Sequence, residues 1–238
     1  MKRDVSIISL NEKEALVIAA DNSGGIGLKE HDFVKASYDV VSYYGFRVAV
    51  MECMAAGGKP ISIVIHNFCD DHAWDLLLAG IEKGLEELGL KGAVSVTGST
   101  ESNFTMLQSA LGLIVLGKRE NSYVDEISFE NRRMAVIGSP LVGNEVLEQE
   151  KEVIPLSLFH ELCQLEDVVI MPVGSKGILY ELKNMLNDPS IVGDRLICDV
   201  DVMKTAGPAT CVLIAFKPDL EPLLQEKYGH LYHSISRC

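Results

Sequence analysis

EALVIAADNSGGIGLK, residues 14–29, is the stretch from which the fold is read. Its first seven residues are β-rich, and a short polar break separates them from DVSIISL (4–10). Two such runs so close together predict a hairpin. The second run ends in Asp21 and opens a glycine-rich loop, 21–32. Glycines let a backbone approach an anion and aim its N–H groups at phosphate. An acid at a strand end can hold Mg²⁺, and Lys29 adds positive charge. A long flexible surface loop has the same composition.

Outward from this stretch, Val41, Tyr44, Val48, Met51 and Ala55 recur every three or four residues. That spacing predicts a helix over 38–56 with one buried stripe, stopped by Gly57-Gly58 and Pro60. ISIVIHNF (61–68) reads as a buried strand, 72–89 as a helix capped by Asp70 or Asp71, AVSVT (93–97) as a strand, and MLQSALGLIVLGK (106–118) as a long strand. A polar connection, 119–132, separates residues 1–118 from 119–238 as two lobes. In the second lobe 133–138, 167–173, 196–202 and 209–216 read as strands. Residues 140–151, 156–165, 175–187 and a segment opened by Pro218 read as helices. The class is α+β in two lobes.

Composition removes several functions. The chain has 238 residues, 34 acidic against 21 basic, and a formal charge of -13. An acidic surface repels a phosphate backbone, so bulk nucleic-acid binding is not expected, though a small phosphorylated ligand is allowed. The N-terminal apolar run of about five residues is shorter than a secretory signal requires. No apolar stretch reaches the ~18–20 residues of a membrane span, so a cytoplasmic, soluble protein is expected. The six cysteines include no close pair, which excludes zinc knuckles and CxxC redox motifs. Cys198 and Cys211 sit in apolar runs and are expected to be buried, inert thiols. GxxxxGK[ST], GxGxxG after a strand, and GxSxG are all missing.

Four further places carry candidate chemistry. Glu52 lies among Met51, Cys53, Met54 and Ala55, where a carboxylate wants a metal or a partner; a rim glutamate beside Arg47 is the alternative. TGSTESN (97–103) follows a strand, where α/β layers bind ligands, but these residue types also dominate ordinary turns. HNFCDDH (66–72) does not have metal-site spacing, although His66 can line a pocket. GSKG (174–177) opens a helix whose N-terminus, with Lys176, suits an anion or is simply capped by Ser175. The tail histidines His230 and His233 read as structural or solvated.

Together these elements resemble the AIR synthase-like (PurM-like) superfamily of ATP-dependent enzymes, which includes thiamine-monophosphate kinase. LVIAAD (16–21) is similar to that family's strand ending in a metal-binding Asp. AVMECMAAGGKP (49–60) resembles its Asn/Ser-Asp-Leu-Ala-Ala-Met-Gly-Ala-x-Pro run, with Glu52 at the ligand Asp. SVTGSTESN (95–103) looks like its Val-Gly-Gly-Asp-Thr-Thr loop, with Ser99 at the Asp and Glu101 two places on. GSKGILYEL (174–182) resembles its Ser-Asp-Gly-Leu helix start, with Lys176 at the Asp. The family's N-terminal Gly-Asp-Asp falls on Lys2-Arg3-Asp4. The whole string more closely resembles the α-ribazole kinases, which salvage α-ribazole for the lower ligand of cobamides (vitamin B12).

The resemblance implies a PurM-like fold with an N-terminal ATP-binding lobe pairing into a shared β-barrel in a homodimer, and a C-terminal α/β lobe. It implies phosphoryl transfer from ATP to a small nucleoside, with Mg²⁺ held by Asp21, Glu52 and Asp4. Asn22, Gly24, Gly25, Gly27, Lys29 and Thr100 would then bind the triphosphate. Lys176 would stabilise the transferring phosphoryl, and His66 or Glu101 would orient the hydroxyl. Another ATP-using chemistry on the same fold, such as that of thiamine-monophosphate kinase, AIR synthase or hydrogenase maturation, and a non-catalytic nucleotide-binding dimer are the alternatives.

Overall fold

A computed structural model describes residues 3–123 and 128–237. Part of the expected connection 119–132, residues 124–127, lies outside the described residues, as do Lys2 and Cys238. The chain divides into two compact units, Asp4–Tyr123 and Val124–Cys238 with Met1–Arg3. No helix among the described residues is long and apolar enough to cross a membrane.

In the first unit the expected hairpin forms from β1 (Ser6–Ser9) and β2 (Glu14–Gly24), with Ser6 opposite Ile18. A two-residue parallel pair, β3 (Ile26–Gly27) and β4 (Val34–Lys35), closes the glycine loop. Helix α1 (Tyr38–Ala55), strand β5 (Lys59–Asn67), helix α2 (Trp74–Glu87) and strands β6 (Ser95–Thr100) and β7 (Ala110–Glu120) follow. The sheet order is β1-β2-β7-β5-β6. Within this sheet, among the described residues, only the β5–β6 ladder is parallel.

Two corrections matter for the site. Asp21, Asn22, Ser23 and Gly24 are not loop: they continue β2, paired with Leu113, Gly112, Leu111 and Ala110. Ser99 and Thr100 likewise extend β6, opposite His66 and Asn67. In both places the ladder hydrogen bonds outweigh the turn preference of the side chains. Helix α1 is also buried more widely than one stripe. Gly45 sits over Asp21 and Leu113, while the Cys53 thiol fills space left by Gly58 and Gly117, so the helix runs antiparallel to β2. On its other side the Asp39 carbonyl and the Ser42 hydroxyl leave no room for a Cβ at Gly80 of α2. Sheet and second helix thus cover two faces, with Phe46, Ala49, Val50, Met51 and Cys53 fully buried. Each large aliphatic or aromatic chain so buried contributes about 1.5–3 kcal/mol.

The second unit contains β8 (Arg133–Ile137), a short α3 (Glu145–Glu148), α4 (Leu156–Cys163), β9 (Val168–Pro172), α5 (Gly177–Leu186), β10 (Leu196–Ile197), β11 (Val212–Phe216), α6 (Glu221–Tyr228) and β12 (Tyr232–Arg237). The sheet order is β10-β12-β8-β11-β9. Every ladder among the described residues is antiparallel, so this unit is α+β, not the α/β layer expected. All five residues of β11 are buried.

Two readings of this unit are corrected. Residues 140–151 are not one helix, because the Leu141 backbone bonds to Thr210 and Gly207 and Gly143 takes φ +62°. The strand 196–202 stops at Ile197, since Asp201 turns the chain by accepting from the Met203 N–H. The tail, in contrast, forms β12, and its His233 is buried with Nδ1 2.9 Å from Asp199 Oδ1. Cys211 is buried as expected, and Cys198 is half-buried.

Candidate functional site

The glycine loop is held by buried polar pins. Asp32, 6% exposed, accepts from the Ser109 N–H (2.7 Å), the Ser109 hydroxyl (2.7 Å) and the Lys29 N–H (2.8 Å). Tyr38 adds its hydroxyl 3.2 Å from Ser109 Oγ. Burial pushes the Asp32 carboxyl up, but the Ser109 and Lys29 donors and the Lys35 charge outweigh it, and the net shift is downward. Lys35 reaches back to the carbonyls of Lys29 and Glu30. A flexible linker would not need three donors on one buried carboxylate, so this loop is preorganised.

The loop residues expected to cradle phosphate are turned largely inward. The Gly25 N–H donates to the Ser109 carbonyl (2.8 Å), and the Gly25 carbonyl accepts from Phe33 and Val34. Gly27 packs against Ser109 and Asp32. The Lys29 amine donates to the Phe68 carbonyl (3.0 Å) and to Asp70 Oδ1 (3.1 Å), with its side chain only 9% exposed. Gly24 alone among them faces open space. Asp70 takes φ +77°, a costly backbone conformation for a residue with a Cβ.

At the end of β5, buried Asn67 gathers the next segment. Its amide donates to Thr100 Oγ1 (3.0 Å) and the Asp70 carbonyl (3.0 Å), and its oxygen accepts from the Cys69 N–H (2.7 Å). The Asn67 carbonyl accepts from the Glu101 N–H (2.8 Å), and Glu101 Oε1 accepts from the Asn103 N–H (2.7 Å). Thr100 is thereby structural, while Glu101 stays half-exposed. Asn22 and His66 project from the opposite, exposed face of the sheet.

Asp32, Ser109 and Asn67 escaped the sequence reading. Their roles come from partners up to 77 positions away, and the local cue, an acid three residues after Lys29, is weak.

The three acids expected to hold Mg²⁺ do not share one ion site. Asp21 faces α1 with Oδ2 3.7 Å from where a Gly45 Cβ would sit. Glu52 is seven residues further along the helix, about 10 Å at 1.5 Å per residue. Asp4 is exposed ahead of β1. No three His, Cys, Asp or Glu side chains among the described residues gather as metal ligands. Burial pushes the Asp21 carboxyl up to about 6, with the Asn22 N–H partly opposing it.

Lys176 belongs to the second unit, before α5. Its amine lies 3.1 Å from the Tyr180 hydroxyl and 4.4 Å from that ring's centre. The α5 N-terminus is partly satisfied, because the Leu179 N–H donates to the Val202 carbonyl (2.9 Å) and the Gly177 N–H to that of Gly174 (3.0 Å). The anion reading of this turn therefore loses donors to the chain itself.

No protein-family model matches the sequence. No curated protein matches it either. Solved structures do match. PurL of Thermotoga maritima complexed with ADP aligns at 12% identity and TM-score 0.60 over 100% of this chain and 42% of that one. Thiamine-monophosphate kinase of Stenotrophomonas maltophilia aligns at 12% and 0.62 over 98% and 88%. AaThiL complexed with AMPPCP and TMP aligns at 14% and 0.59 over 99% and 84%. The chain spans less than half the length of the PurL chains it matches. At these identities the likeness carries the architecture and nothing finer. The α+β fold is the PurM-like fold that PurL and thiamine-monophosphate kinase share.

Proposed function

We propose that this chain is an ATP-dependent phosphotransferase for a small molecule, with α-ribazole as acceptor and α-ribazole 5′-phosphate as product, in the salvage of the cobamide lower ligand. The observation that carries the reading is the preorganised glycine loop, fixed by Asp32 and Ser109, in a fold whose other members were solved with ADP, ATP and AMPPCP. The acceptor comes from the sequence resemblance, and TMP in one neighbour supports a small acceptor beside a nucleotide.

The residues divide the work by what they leave free. An ammonium has three protons, and Lys29 gives two to Phe68 and Asp70, so one is left for a phosphate oxygen. Gly24 lets a phosphate approach the backbone closely. Glu101 directly follows β6 and is half-exposed, and its carboxylate is the one assigned to orient a hydroxyl. Phosphoryl transfer depends mainly on such positioning and electrostatics. Mg²⁺, if carried in by the nucleotide, would supply charge neutralisation at its phosphates. We assign a homodimer on the exposed edge strand β1, where Ile7 and Ile8 are 40% and 49% exposed.

The dispersal of Asp21, Glu52 and Asp4 favours a second reading, a nucleotide-binding dimer without turnover. A product assay with ATP, Mg²⁺ and α-ribazole, and thiamine monophosphate in parallel, separates them. Stoichiometric ADP and α-ribazole phosphate are expected. Product from thiamine monophosphate alone would reassign the acceptor. ATP binding with no product from either would overturn the kinase reading.

A further inference from the structure

The register of the first sheet brings four residues into one row across its exposed face. Asn22 on β2 stands opposite Gly112 on β7, Gly112 opposite His66 on β5, and His66 opposite Ser99 on β6. Asn22, His66 and Ser99 are all exposed. None of these three side chains has a hydrogen-bond partner among the described residues. Gly112 makes a gap in the row. The His66 ring leans towards that gap, with Cδ2 3.8 Å and Cβ 3.4 Å from where a Gly112 Cβ would sit.

The rows on either side are different. One is Ala20, Ile114, Val64 and Thr97; the other begins with Gly24 and Ala110. The row with polar ends therefore lies between small or apolar floors. Neighbouring strands are about 4.8 Å apart, so Asn22 and His66 flank Gly112 at roughly 10 Å from each other. A flat ring laid on the Gly112 backbone would meet an imidazole face or edge on one side. The Asn22 amide stands on the other side, within the row, to take a ring nitrogen.

We propose that this notch is the seat of a planar nitrogen heteroaromatic ring, and that Asn22 and His66, which flank it, read its edge. The identity of the ring rests on the proposed function, since both the benzimidazole of α-ribazole and the adenine of ATP have this chemistry. Asn22 then contacts a base rather than the triphosphate, and His66 recognises the ring rather than orienting the hydroxyl.

The test is calorimetric titration of the full chain with α-ribazole and, separately, with AMPPCP, comparing wild type with Gly112→Val. The His66 imidazole resonances are followed during each titration. Valine suits a strand, and a Cβ at Gly112 meets only ordinary contacts, so the variant is expected to fold. Asn22→Ala is the second variant, read in the same way. Loss of about tenfold or more in affinity for one ligand, with His66 shifts induced by that ligand, is expected. The affected ligand identifies the ring. Unchanged affinity for both ligands in the variants, or no binding of either to wild type, would overturn the proposal. If a ring binds and yet no phosphate is transferred, the notch stands and the kinase reading falls. Undiminished binding with intact turnover in Gly112→Val leaves the kinase reading and removes the notch.

Discussion

Gly27 lies so close to Ser109 that a Cβ on the glycine would collide with the serine hydroxyl and come within 2.9 Å of Asp32 Oδ2. The loop's conformation is thus set by packing onto a buried hydrogen-bonded pair. Gly27→Ala must push Ser109 off Asp32 and is expected to lower stability by about 2 kcal/mol or more. Gly24→Ala, which meets nothing within 4 Å, is expected to change stability by roughly 0.5 kcal/mol or less. Urea denaturation of both variants checks the contrast, and equal effects would remove the pinning argument.

Asp32 gives the same loop an acid-sensitive hold. Its folded pKa lies below the ordinary 3.8. Its stabilisation is therefore present above that value and is lost as pH falls towards the folded pKa. Asp32→Asn is expected to cost about 2 kcal/mol at pH 7, because the three donors lose a charged acceptor. The cost should shrink below about pH 4. Unfolding curves from pH 3 to pH 7 for wild type and variant measure this, and a pH-independent difference would contradict it.

The elements were legible where one local pattern decided them. The hairpin, α1 and the strand 61–68 follow from short-range periodicity, and their structural bounds differ from the readings by a few residues. The misread places share one physical cause. Asp21–Gly24 and Ser99–Thr100 have turn-forming composition, but their conformation is set by partner strands distant in sequence. Residues 199–202 fail in the other direction: alternating apolar and acidic residues imitate a strand, while Asp201 captures a backbone N–H. The glycine-rich turn around Gly25 and Gly27 was legible from its composition. The commitment of Lys29 to Phe68 and Asp70 was not, because it joins residues 39 and 41 positions apart.

Asp21 and Ser23 share the face of β2 that α1 covers, and both are poorly satisfied. Burial raises the Asp21 pKa from 3.8 to about 6. A carboxyl raised on folding favours the native state when protonated. That stability is full below about pH 4 and is lost as pH rises through about 6, for a total of about 3 kcal/mol. Asp21→Asn should therefore be more stable than wild type at pH 8 by up to about 3 kcal/mol, with the gain vanishing below pH 4. Ser23 Oγ is buried without a hydrogen-bond partner, so Ser23→Ala should be neutral or stabilising by about 1 kcal/mol. Chemical denaturation at pH 4 and pH 8 reads both. A destabilised Asp21→Asn at pH 8 would show that the carboxylate has a stabilising partner.

Asp70 combines a strained backbone with an ion pair, and two substitutions separate them. At φ +77° and ψ 165° a Cβ carries a penalty that glycine escapes. The carboxylate pairs with Lys29 but is 39% exposed, which limits the pair to about 1 kcal/mol. Asp70→Ala loses the pair and keeps the strain, so it should destabilise by about 1 kcal/mol. Asp70→Gly loses the pair and the strain together, so it should be more stable than the alanine variant by about 1–2 kcal/mol. Hydrogen exchange over residues 25–36 should rise equally in both variants, because both release Lys29. If the two variants unfold at the same denaturant concentration, the φ at Asp70 carries no strain. If exchange in the loop is unchanged, Lys29 is held by the Phe68 carbonyl alone.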